Sequence, residues 1–349
     1  MNAGRPMDKK NYYSDKIASL KDIFGTENLS LEPGYIVIDN KKYPIVKDVI
    51  IMLEPSKWPE TIRKGLGQNS TVSGDCASKF AEDIQFTFGA EWKKYPSIVP
   101  NHRDEFNLYF DLVNLENLKN MRVCDLGCGI GRWSYFLQDK CRELVLIDFS
   151  EAIFISRNNL RDCNHVIYIM DDINNLRLRE KFADFLFCLG VLHHIPGDAL
   201  EAARRLKKHS SSILIYLYYS LDNKPSYFHA ILAFVTSVRL AVSRIRNEYF
   251  RSAFTYIVAI FVYWPLIMIG KFFNMMDLSV EIPIYEGYKG KTMKRIRQDV
   301  YDRFFTRIEQ RFSRKDIMTL KDTYKDITVS ESIPYWHFLC KDVLKIEGK

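Results

Sequence analysis

The chain has 349 residues, 47% of them hydrophobic, and a formal net charge of +7 at pH 7, which fits one elaborated domain or two domains. Its seven cysteines are scattered and form no C-x-x-C pair, which argues against a disulfide framework and against a metal site. The N-terminal sequence MNAGRPMDKKNYYSDK lacks an apolar run, so we expect no secretory signal and a cytoplasmic location.

The first part of the chain predicts a small accessory unit. The β-branched runs YIVI and VIIML in residues 29–55 are separated by polar turn residues, a pattern typical of strand-turn-strand structure. We assign residues 1–62 to this N-terminal β module. Residues 63–119 follow as a Gly- and Ser-rich linker and an aromatic, helical lead-in that Pro96 and Pro100 interrupt.

Residues 120–220 show a regular alternation of short apolar runs and helical segments. In order they predict the strand MRVCDLG, the helix GRWSYFLQDK, the strand ELVLIDFS, the helix EAIFISRNNLRDC, and the strands HVIYIMDD, DFLFCLG and SSILIYLYYS. Strands that alternate with helices predict a parallel sheet with helices on both faces. In such α/β sheets, ligands bind at the carboxyl ends of the strands.

Three glycines follow the first of these strands, in the sequence VCDLGCGIGRWS. Gly127 permits a sharp exit from the strand, Gly129 lets the backbone approach a ligand, and Gly131 begins the next helix close to the sheet. Asp125 comes before the first glycine, so the spacing is D-x-G-x-G-x-G and not the G-x-G-x-x-G of a dinucleotide site. A carboxylate there repels a pyrophosphate but attracts the ammonium or sulfonium of S-adenosylmethionine, which favours this methyl donor over NAD.

Acidic residues end the next two strands. Asp148 ends ELVLID, where it can accept two hydrogen bonds from a ribose diol. Asp171 and Asp172 end the third strand, and a carboxylate there can bond an adenine amino group while Ile173 packs on the ring. Together with the glycine loop, these residues predict a ligand that contains adenosine.

With these motifs, the chain resembles the class I S-adenosylmethionine-dependent methyltransferases. The likeness rests on VCDLGCGIGRWS, LVLIDFS, YIMDDI and FADFLFCLGVLHHIP, within residues 120 to about 220. It implies a Rossmann-like α/β fold with a seven-stranded sheet, mostly parallel with an antiparallel last strand. By matching position it implies cofactor contacts at Asp125, Gly127, Gly129, Gly131, Asp148 and Asp172, and it adds Leu189 and Gly190 beneath the methionine part of the cofactor.

The likeness extends to a bacterial group with a hydrophobic insertion, whose substrates are often unassigned. It does so through the lead-in FTFGAEW and the late segments DRFFTRIEQRFSRKDI and IPYWHFLCK. In this architecture DITVSES and WHFLCKD, within residues 323–349, close the core sheet as an antiparallel pair.

Candidate catalytic residues lie after the fourth strand and late in the insertion. Methyl transfer is an in-line displacement, which needs a general base only when the acceptor is not already ionised. His193 and His194 follow the fourth strand, where one can take a proton and the alternative role is packing. The segment VYDRFFTRIEQRF offers Asp302, Arg303, Glu309 and Arg311 on a predicted helix. Asp302 and Glu309 share a face, and we take them as further candidates, with a solvated surface as the alternative.

Residues 221–322 predict an insertion that is both hydrophobic and basic. Residues 201–320 carry 20 Lys and Arg against 10 Asp and Glu, and the apolar runs SYFHAILAFVTSV and SAFTYIVAIFVYWPLIMIG lie in the same part of the chain. The second run is near the length of a bilayer span. A single span would divide one sheet between the two sides of a membrane, however, and Pro265 is expected to interrupt the run.

Three interpretations remain for this insertion. It can lie in the interface of an anionic membrane, fold over the site as a substrate cap, or form a buried helical subdomain or a homodimer contact. Apolar and basic residues in one segment favour the membrane, and a nucleic acid is not expected as a partner.

The sequence therefore predicts a methyltransferase that uses S-adenosylmethionine and stands in the cytoplasm, peripheral on the inner face of a membrane. The expected acceptor is a small molecule or a lipid-linked group, for example a glycan carried on a lipid. Two alternatives remain open. One is an NAD-dependent oxidoreductase, and the other is a non-catalytic, membrane-docked binding protein on a methyltransferase fold.

Overall fold

The computed structural model describes residues 11–67, 92–278 and 280–342, and these contain one sheet of eleven strands. The strands are β1 (Leu29–Glu32), β2 (Tyr35–Ile38), β3 (Lys41–Val46), β4 (Val49–Ile51), β5 (Arg122–Leu126), β6 (Glu143–Asp148), β7 (Val166–Met170), β8 (Phe185–Leu189), β9 (Ser212–Tyr216), β10 (Asp326–Val329) and β11 (His337–Lys341). The helices are α1 (Ile17–Phe24), α2 (Glu60–Gly65), α3 (Asn101–Tyr109), α4 (Ala152–Asn159), α5 (Ala199–Leu206), α6 (Ser226–Val242), α7 (Glu248–Met275), α8 (Tyr285–Tyr288), α9 (Met293–Phe305) and α10 (Arg314–Met318).

The order of strands across the sheet is β1-β2-β3-β4-β7-β6-β5-β8-β9-β11-β10. The pairings from β4 through β9 are parallel, and β11 is antiparallel to both of its neighbours. Seven strands, β5 to β11, form the predicted core with its antiparallel last strand, so the predicted fold class is confirmed. DITVSES and WHFLCKD form the closing pair β10 and β11, as expected.

The N-terminal strands belong to the core sheet and do not form a sheet of their own. β4 pairs in parallel with β7, with Ile50 opposite Ile169, and β1 to β3 continue outward as an antiparallel meander. The reason is visible in VIIML, because a fully apolar run suits a strand that is covered on both faces. Residues 68–91, with most of the predicted linker and of FTFGAEW, lie outside the described residues.

The helix predicted for GRWSYFLQDK is wrong. The segment forms consecutive turns around a short 3₁₀ turn, Ser134–Phe136. Tertiary contacts compete with helix formation here, since the Ser134 hydroxyl bonds the side chain of Asp125 on β5 and Trp133 and Leu137 are buried in the core. Gly131 therefore precedes a series of turns and not a helix.

Both faces of the sheet are covered by apolar side chains. Alternate residues of β5 divide between them, with Cys124 and Leu126 in one cluster and Val123 in the other. The insertion has a third cluster of its own, in which Ala259 and Tyr263 of α7 pack against Val300 of α9.

Helix α7 runs through Pro265 without a break, contrary to expectation. A π-helical segment, Ala259–Tyr263, precedes the proline, which takes one of the first positions of the following α-helical part. Since proline has no N–H to donate, a local change of hydrogen-bond register lets the helix continue. One helix of 28 residues, Glu248–Met275, results.

Candidate active site

A large cavity lies between the carboxyl ends of β5 to β9 and the insertion. Its volume is about 1450 Å³, whereas most ligand pockets measure roughly 300–1,000 Å³. The glycine loop and the ends of β6, β7 and β8 form one side, and α6, α8 and α9 form the other. The space is sufficient for a cofactor and an acceptor together.

The glycine loop lines the cavity at two of its three glycines. Gly127 has a φ of 79°, and a Cβ there would lie 2.3 Å from Cγ2 of Val191. Gly129 has a φ of 54°, and its Cβ would lie 3.2 Å from the Trp92 ring. Both positions therefore favour glycine, and the preference is stronger at Gly127. Gly131 does not line the cavity and lies against Ser156 and Leu160 at α4.

Asp148 ties the end of β6 to the glycine loop. Its Oδ2 accepts the Gly129 N–H at 2.8 Å, and its Oδ1 accepts the N–H of Ser150 at 2.8 Å and the hydroxyl of that serine at 2.7 Å. Burial raises the pKa of Asp148. The carboxylate lies on the cavity wall, where the remaining lone pair on Oδ2 can accept a hydrogen bond from one hydroxyl of a diol.

Asp171 and Asp172 differ sharply in their surroundings. The Oδ2 of Asp172 lies 2.6 Å from Nζ of Lys57, and its Oδ1 accepts the Asn174 N–H. Asp171 is 4% exposed and lines the cavity, and its Oδ2 has no hydrogen-bond partner among the described residues. Burial raises the pKa of Asp171 to about 7. Asp171, which the resemblance does not select, is thus the better acceptor for an adenine amino group.

Asp125 lies behind the loop. It is 1% exposed, accepts the Ser134 hydroxyl at 2.7 Å and does not line the cavity. Burial raises the pKa of Asp125 to about 7. Its predicted contact with a cofactor ammonium stays a prediction, whereas Ile173, Leu189 and Gly190 do line the cavity.

His194 and Asp302 meet in the cavity. The Nδ1 of His194 lies 2.8 Å from the Ile308 carbonyl, which fixes Nδ1 as the protonated atom and leaves the lone pair on Nε2. That Nε2 lies 3.8 Å from Oδ1 of Asp302. The other oxygen of Asp302 accepts the hydroxyl of Tyr218 at 2.5 Å. Burial raises the pKa of Tyr218, so this phenol stays protonated. The three side chains form a Tyr–Asp–His network.

His193 and Glu309 lie outside the cavity wall. His193 is fully buried and stacks on the Tyr218 ring at 3.9 Å, and burial holds its pKa well below the usual range. His193 therefore takes the packing role. Glu309 bonds Arg311 at 2.9 Å, and α9 ends at Phe305, so Asp302 and Glu309 do not share a helix as predicted. Thr306 ends the helix in an extended conformation while its hydroxyl bonds the Asp302 carbonyl.

The polar face of α9 points into the cavity. Five of its residues line the cavity at positions i, i+3, i+4, i+7 and i+8, namely Arg295, Gln298, Asp299, Asp302 and Arg303. The opposite face contributes Ile296, Val300 and Phe304 to the core of the insertion. Sequence reasoning named Asp302 and Arg303 on this helix and missed the other three. The spacing of the apolar residues in MKRIRQDVYDRFF indicates the same polar face.

A buried ion pair joins α9 to the core. The guanidinium of Arg295 donates to both oxygens of Glu105 on α3, at 3.0 and 3.2 Å, and Lys291 lies 3.2 Å from the same carboxylate. Burial alone would raise the pKa of Glu105, but Arg295 and Lys291 hold it well below its usual range. This contact fixes the distance between the two walls of the cavity.

The residues present fit an adenosine-containing methyl donor. The bare backbone at Gly127 and Gly129 leaves room for a ligand, and the Asp171 oxygen without a partner offers an acceptor to an amino group. In the described ranges no group of three His, Cys, Asp or Glu could hold a metal ion.

Comparison with known proteins gives a family match over the part of the chain that contains the glycine loop. The family model described as "Methyltransferase domain" matches residues 123–210. The tRNA U34 carboxymethyltransferase of Sulfurimonas denitrificans is 30% identical over 110 residues, which are 29% of this chain and 36% of that protein. The enzyme of the same name from Trichodesmium erythraeum is 24% identical over 127 residues, 34% of this chain and 39% of that protein. The chain thus covers well under half of either relative.

Solved structures with some likeness include two prokaryotic proteins. Magnesium protoporphyrin IX methyltransferase from Synechocystis PCC 6803, with bound S-adenosylmethionine, aligns with 47% of this chain and 88% of its own, at 19% identity and a TM-score of 0.36. A protein from Pyrococcus horikoshii OT3 aligns with 72% of this chain and 96% of its own, at 12% identity and a TM-score of 0.40.

Proposed function

We propose that the protein transfers a methyl group from S-adenosylmethionine to a hydrophobic or lipid-linked acceptor, since residues 123–210 match the family model described as "Methyltransferase domain". The observation that carries the proposal is the single cavity that joins the glycine loop to the insertion. Donor and acceptor can therefore lie side by side, which an in-line displacement requires.

Different side chains of the cavity have different roles in the proposed reaction. S-adenosylmethionine, when bound, supplies a methyl group on a positively charged sulfur. Asp148 and Asp171 would hold the adenosine part through its hydroxyl and amino groups. The lone pair on Nε2 of His194 takes the proton of an acceptor hydroxyl, and Asp302, 3.8 Å away, stabilises the imidazolium that forms. The Ile308 carbonyl keeps the imidazole in the required tautomer.

The acceptor side of the cavity supports an apolar portion in the acceptor. One face of α6 lines it with the side chains of Phe228, Ile231, Leu232 and Val235. An alkyl chain against these residues removes apolar surface from water, at about 25 cal/mol per Å². A polar acceptor would have no apolar portion to pack against these side chains of α6.

We further propose that the insertion rests on a membrane surface. Of the twenty large hydrophobic side chains exposed in the described residues, eighteen lie between Tyr227 and Val280. Helix α7 buries one narrow stripe, from Arg251 to Gly270, and exposes apolar side chains elsewhere, with Phe261 73% and Met275 80% exposed. Monomeric proteins rarely expose so large an apolar patch to water.

Helix α7 is long and apolar enough to cross a bilayer by length and composition. A crossing is incompatible with the sheet, because β9 precedes the helix, β11 follows it, and the two strands are paired, with Leu214 opposite Leu339. An orientation in the plane of the interface agrees with both observations, with the exposed cations Arg244 and Lys271 available to anionic head groups.

Two measurements test the proposed reaction. Calorimetry should show binding of S-adenosylmethionine and not of NAD. Incubation with radiolabelled donor and a cell extract should then place the label in the lipid fraction. The curated relatives are named for tRNA, so label in RNA would replace the lipid-linked acceptor by a nucleic acid. Failure to bind the donor would reject the methyltransferase altogether.

A further inference from the structure

We propose that the cavity binds an anionic group of the acceptor at the guanidinium of Arg303. The inference rests on the proposed methyl transfer and names the class of its acceptor, an amphiphile that carries a carboxylate or phosphate near its reacting end. The anionic group would lie against the polar face of α9, and the alkyl part would lie along α6.

The position of Arg303 in α9 directs it into the cavity. It follows Asp302 in the chain and lines the cavity four residues after Asp299, on the polar face of the helix. Phe304 and Val300 anchor the opposite face in the core of the insertion. Because this apolar anchor fixes the rotation of the helix, Arg303 cannot turn to solvent without disrupting that core.

The other cations of the cavity wall already have partners. Among the described residues, each of five lies within ion-pair distance of a carboxylate, and these pairs are Lys224 with Glu281, Lys289 with Glu286, Lys291 with Glu105, Arg295 with Glu105 and Arg311 with Glu309. A sixth, Arg132, stacks over the ring of Trp133 at 4.3 Å beside the glycine loop.

Arg303 makes no hydrogen bond or ion pair with any other residue in the described part of the chain. Its nearby carboxylates are engaged elsewhere. Asp302 bonds Tyr218 and Thr306, Asp299 bonds Arg295, and Glu309 bonds Arg311. A guanidinium has five N–H donors in a planar fork, and leaving them without acceptors in a partly enclosed site is costly. An oxyanion meets two of them at once.

Tyrosine rings complete the surroundings of this guanidinium. The phenols of Tyr263, Tyr288 and Tyr218 interact with it electrostatically, and those of Tyr216 and Tyr219 do so as well. Burial raises the pKa of Tyr288, so this phenol remains neutral and can donate a hydrogen bond to an anion. Tyr218 also bonds Asp302, so the anion would lie beside the His194 network, next to the reacting centre.

The test uses short amphiphiles that differ only in the head group. Octyl phosphate, octanoate and 1-octanol are titrated into the full chain, each in the presence of S-adenosylhomocysteine. At least one of the two anions should bind more tightly than 1-octanol, and the stronger of the two identifies phosphate or carboxylate as the group recognised. Arg303→Met should weaken the binding of that anion by roughly ten- to a hundredfold, which is the loss expected for hydrogen bonds to a charged group.

Arg303→Lys retains the charge and should restore part of the affinity, while Arg297→Met, on the same helix but outside the cavity wall, should change nothing. Three results would overturn the proposal. They are binding of 1-octanol as tight as that of the stronger anion, no binding of either anion at millimolar concentration, and an equal loss of affinity for all three probes in Arg303→Met. Donor binding is measured separately on each variant, so a protein that fails to bind S-adenosylmethionine rejects the methyltransferase and not the anion site.

Discussion

The Nε2 atom of His194 lies 3.8 Å from the Oδ1 atom of Asp302, and the two residues belong to different parts of the molecule. His194 follows β8 in the core, and Asp302 lies on α9 in the insertion. The candidate base and the carboxylate that would stabilise its charge are thus brought together only when the insertion packs over the sheet. The insertion is part of the candidate active site and not an appendage to it.

Replacing either partner should slow turnover without loss of the donor. We expect His194→Ala to lower kcat by about a hundredfold or more if the acceptor is a hydroxyl. Asp302→Asn should cause a smaller loss of kcat, because the imidazolium that forms in the reaction loses its anionic neighbour. Steady-state kinetics and donor calorimetry separate the two effects. His165→Ala, remote from the cavity, is the control, and full activity of His194→Ala would remove this histidine from the mechanism.

Asp171 should matter more to donor binding than Asp172. Asp171→Asn replaces the acceptor oxygen that has no partner within the described structure, and we expect about tenfold weaker binding of S-adenosylmethionine. Asp172→Asn disturbs an ion pair with Lys57 and should have little effect on affinity. Calorimetry on both variants decides the matter, and a larger loss in Asp172→Asn would return the adenine contact to Asp172.

The same carboxyl predicts the pH dependence of binding. With a pKa of about 7, Asp171 loses its charge as the pH falls below neutrality, so affinity for the donor should decrease between roughly pH 8 and pH 6. Titrations across this range should show the decrease in the wild type and a flatter profile in Asp171→Asn. An identical profile in both proteins would assign the proton to another group.

Stability should depend on pH through Asp125. Its folded pKa of about 7 lies above the ordinary value of 3.8, so the folded state binds more protons than the unfolded state between these values. Its contribution therefore falls as the pH rises from about 4 to 7, by about 1.4 kcal/mol for each unit of pKa difference. Urea unfolding at several pH values should show a smaller fall in Asp125→Asn, and an unchanged slope in this variant would contradict the assignment.

Two glycines with the same backbone conformation should respond differently to alanine. Gly127 and Gly190 have φ values of 79° and 81°, but only at Gly127 would a Cβ meet a side chain, that of Val191. Both changes carry a backbone cost of roughly 1–3 kcal/mol, and Gly127→Ala adds a clash. Urea denaturation should rank Gly127→Ala as the less stable variant, and equal losses would mean that Val191 moves away freely.

The membrane proposal predicts flotation with anionic vesicles. The intact protein should float with vesicles of phosphatidylserine and phosphatidylcholine, and replacement of Phe261, Phe272 and Met275 by serine should abolish this, since all three are exposed and apolar. Replacement of the exposed Tyr35 and Leu108, which lie outside the insertion, is the matched control. Equal flotation of both variants, or none by the wild type, would leave a homodimer contact to be tested by sedimentation.

The strands of the core and the order of its motifs were predictable because each apolar run has a length and period that suit a covered parallel strand. The glycine loop and Asp148 followed from local spacing. The choice of Asp171 over Asp172 did not follow from spacing, and neither did the anion-binding role of Arg303. Both depend on side chains far away in the sequence, which leave the Oδ2 atom of Asp171 and the guanidinium of Arg303 without a hydrogen-bond partner among the described residues. The expected break at Pro265 was wrong. A proline inside a helix usually interrupts it, and this expectation did not allow for the π-helical segment that precedes Pro265.

The pairing of β4 with β7 has a consequence for self-association. An open edge at β7 would offer unpaired N–H and C=O groups to a second molecule, and β4 occupies it. In the described sheet the edges that remain are β1 and β10, each only four residues long. Short edges are poor templates for strand addition. Two copies of this chain that associate are therefore expected to do so through side-chain surfaces and not through a sheet that runs from one molecule into the next.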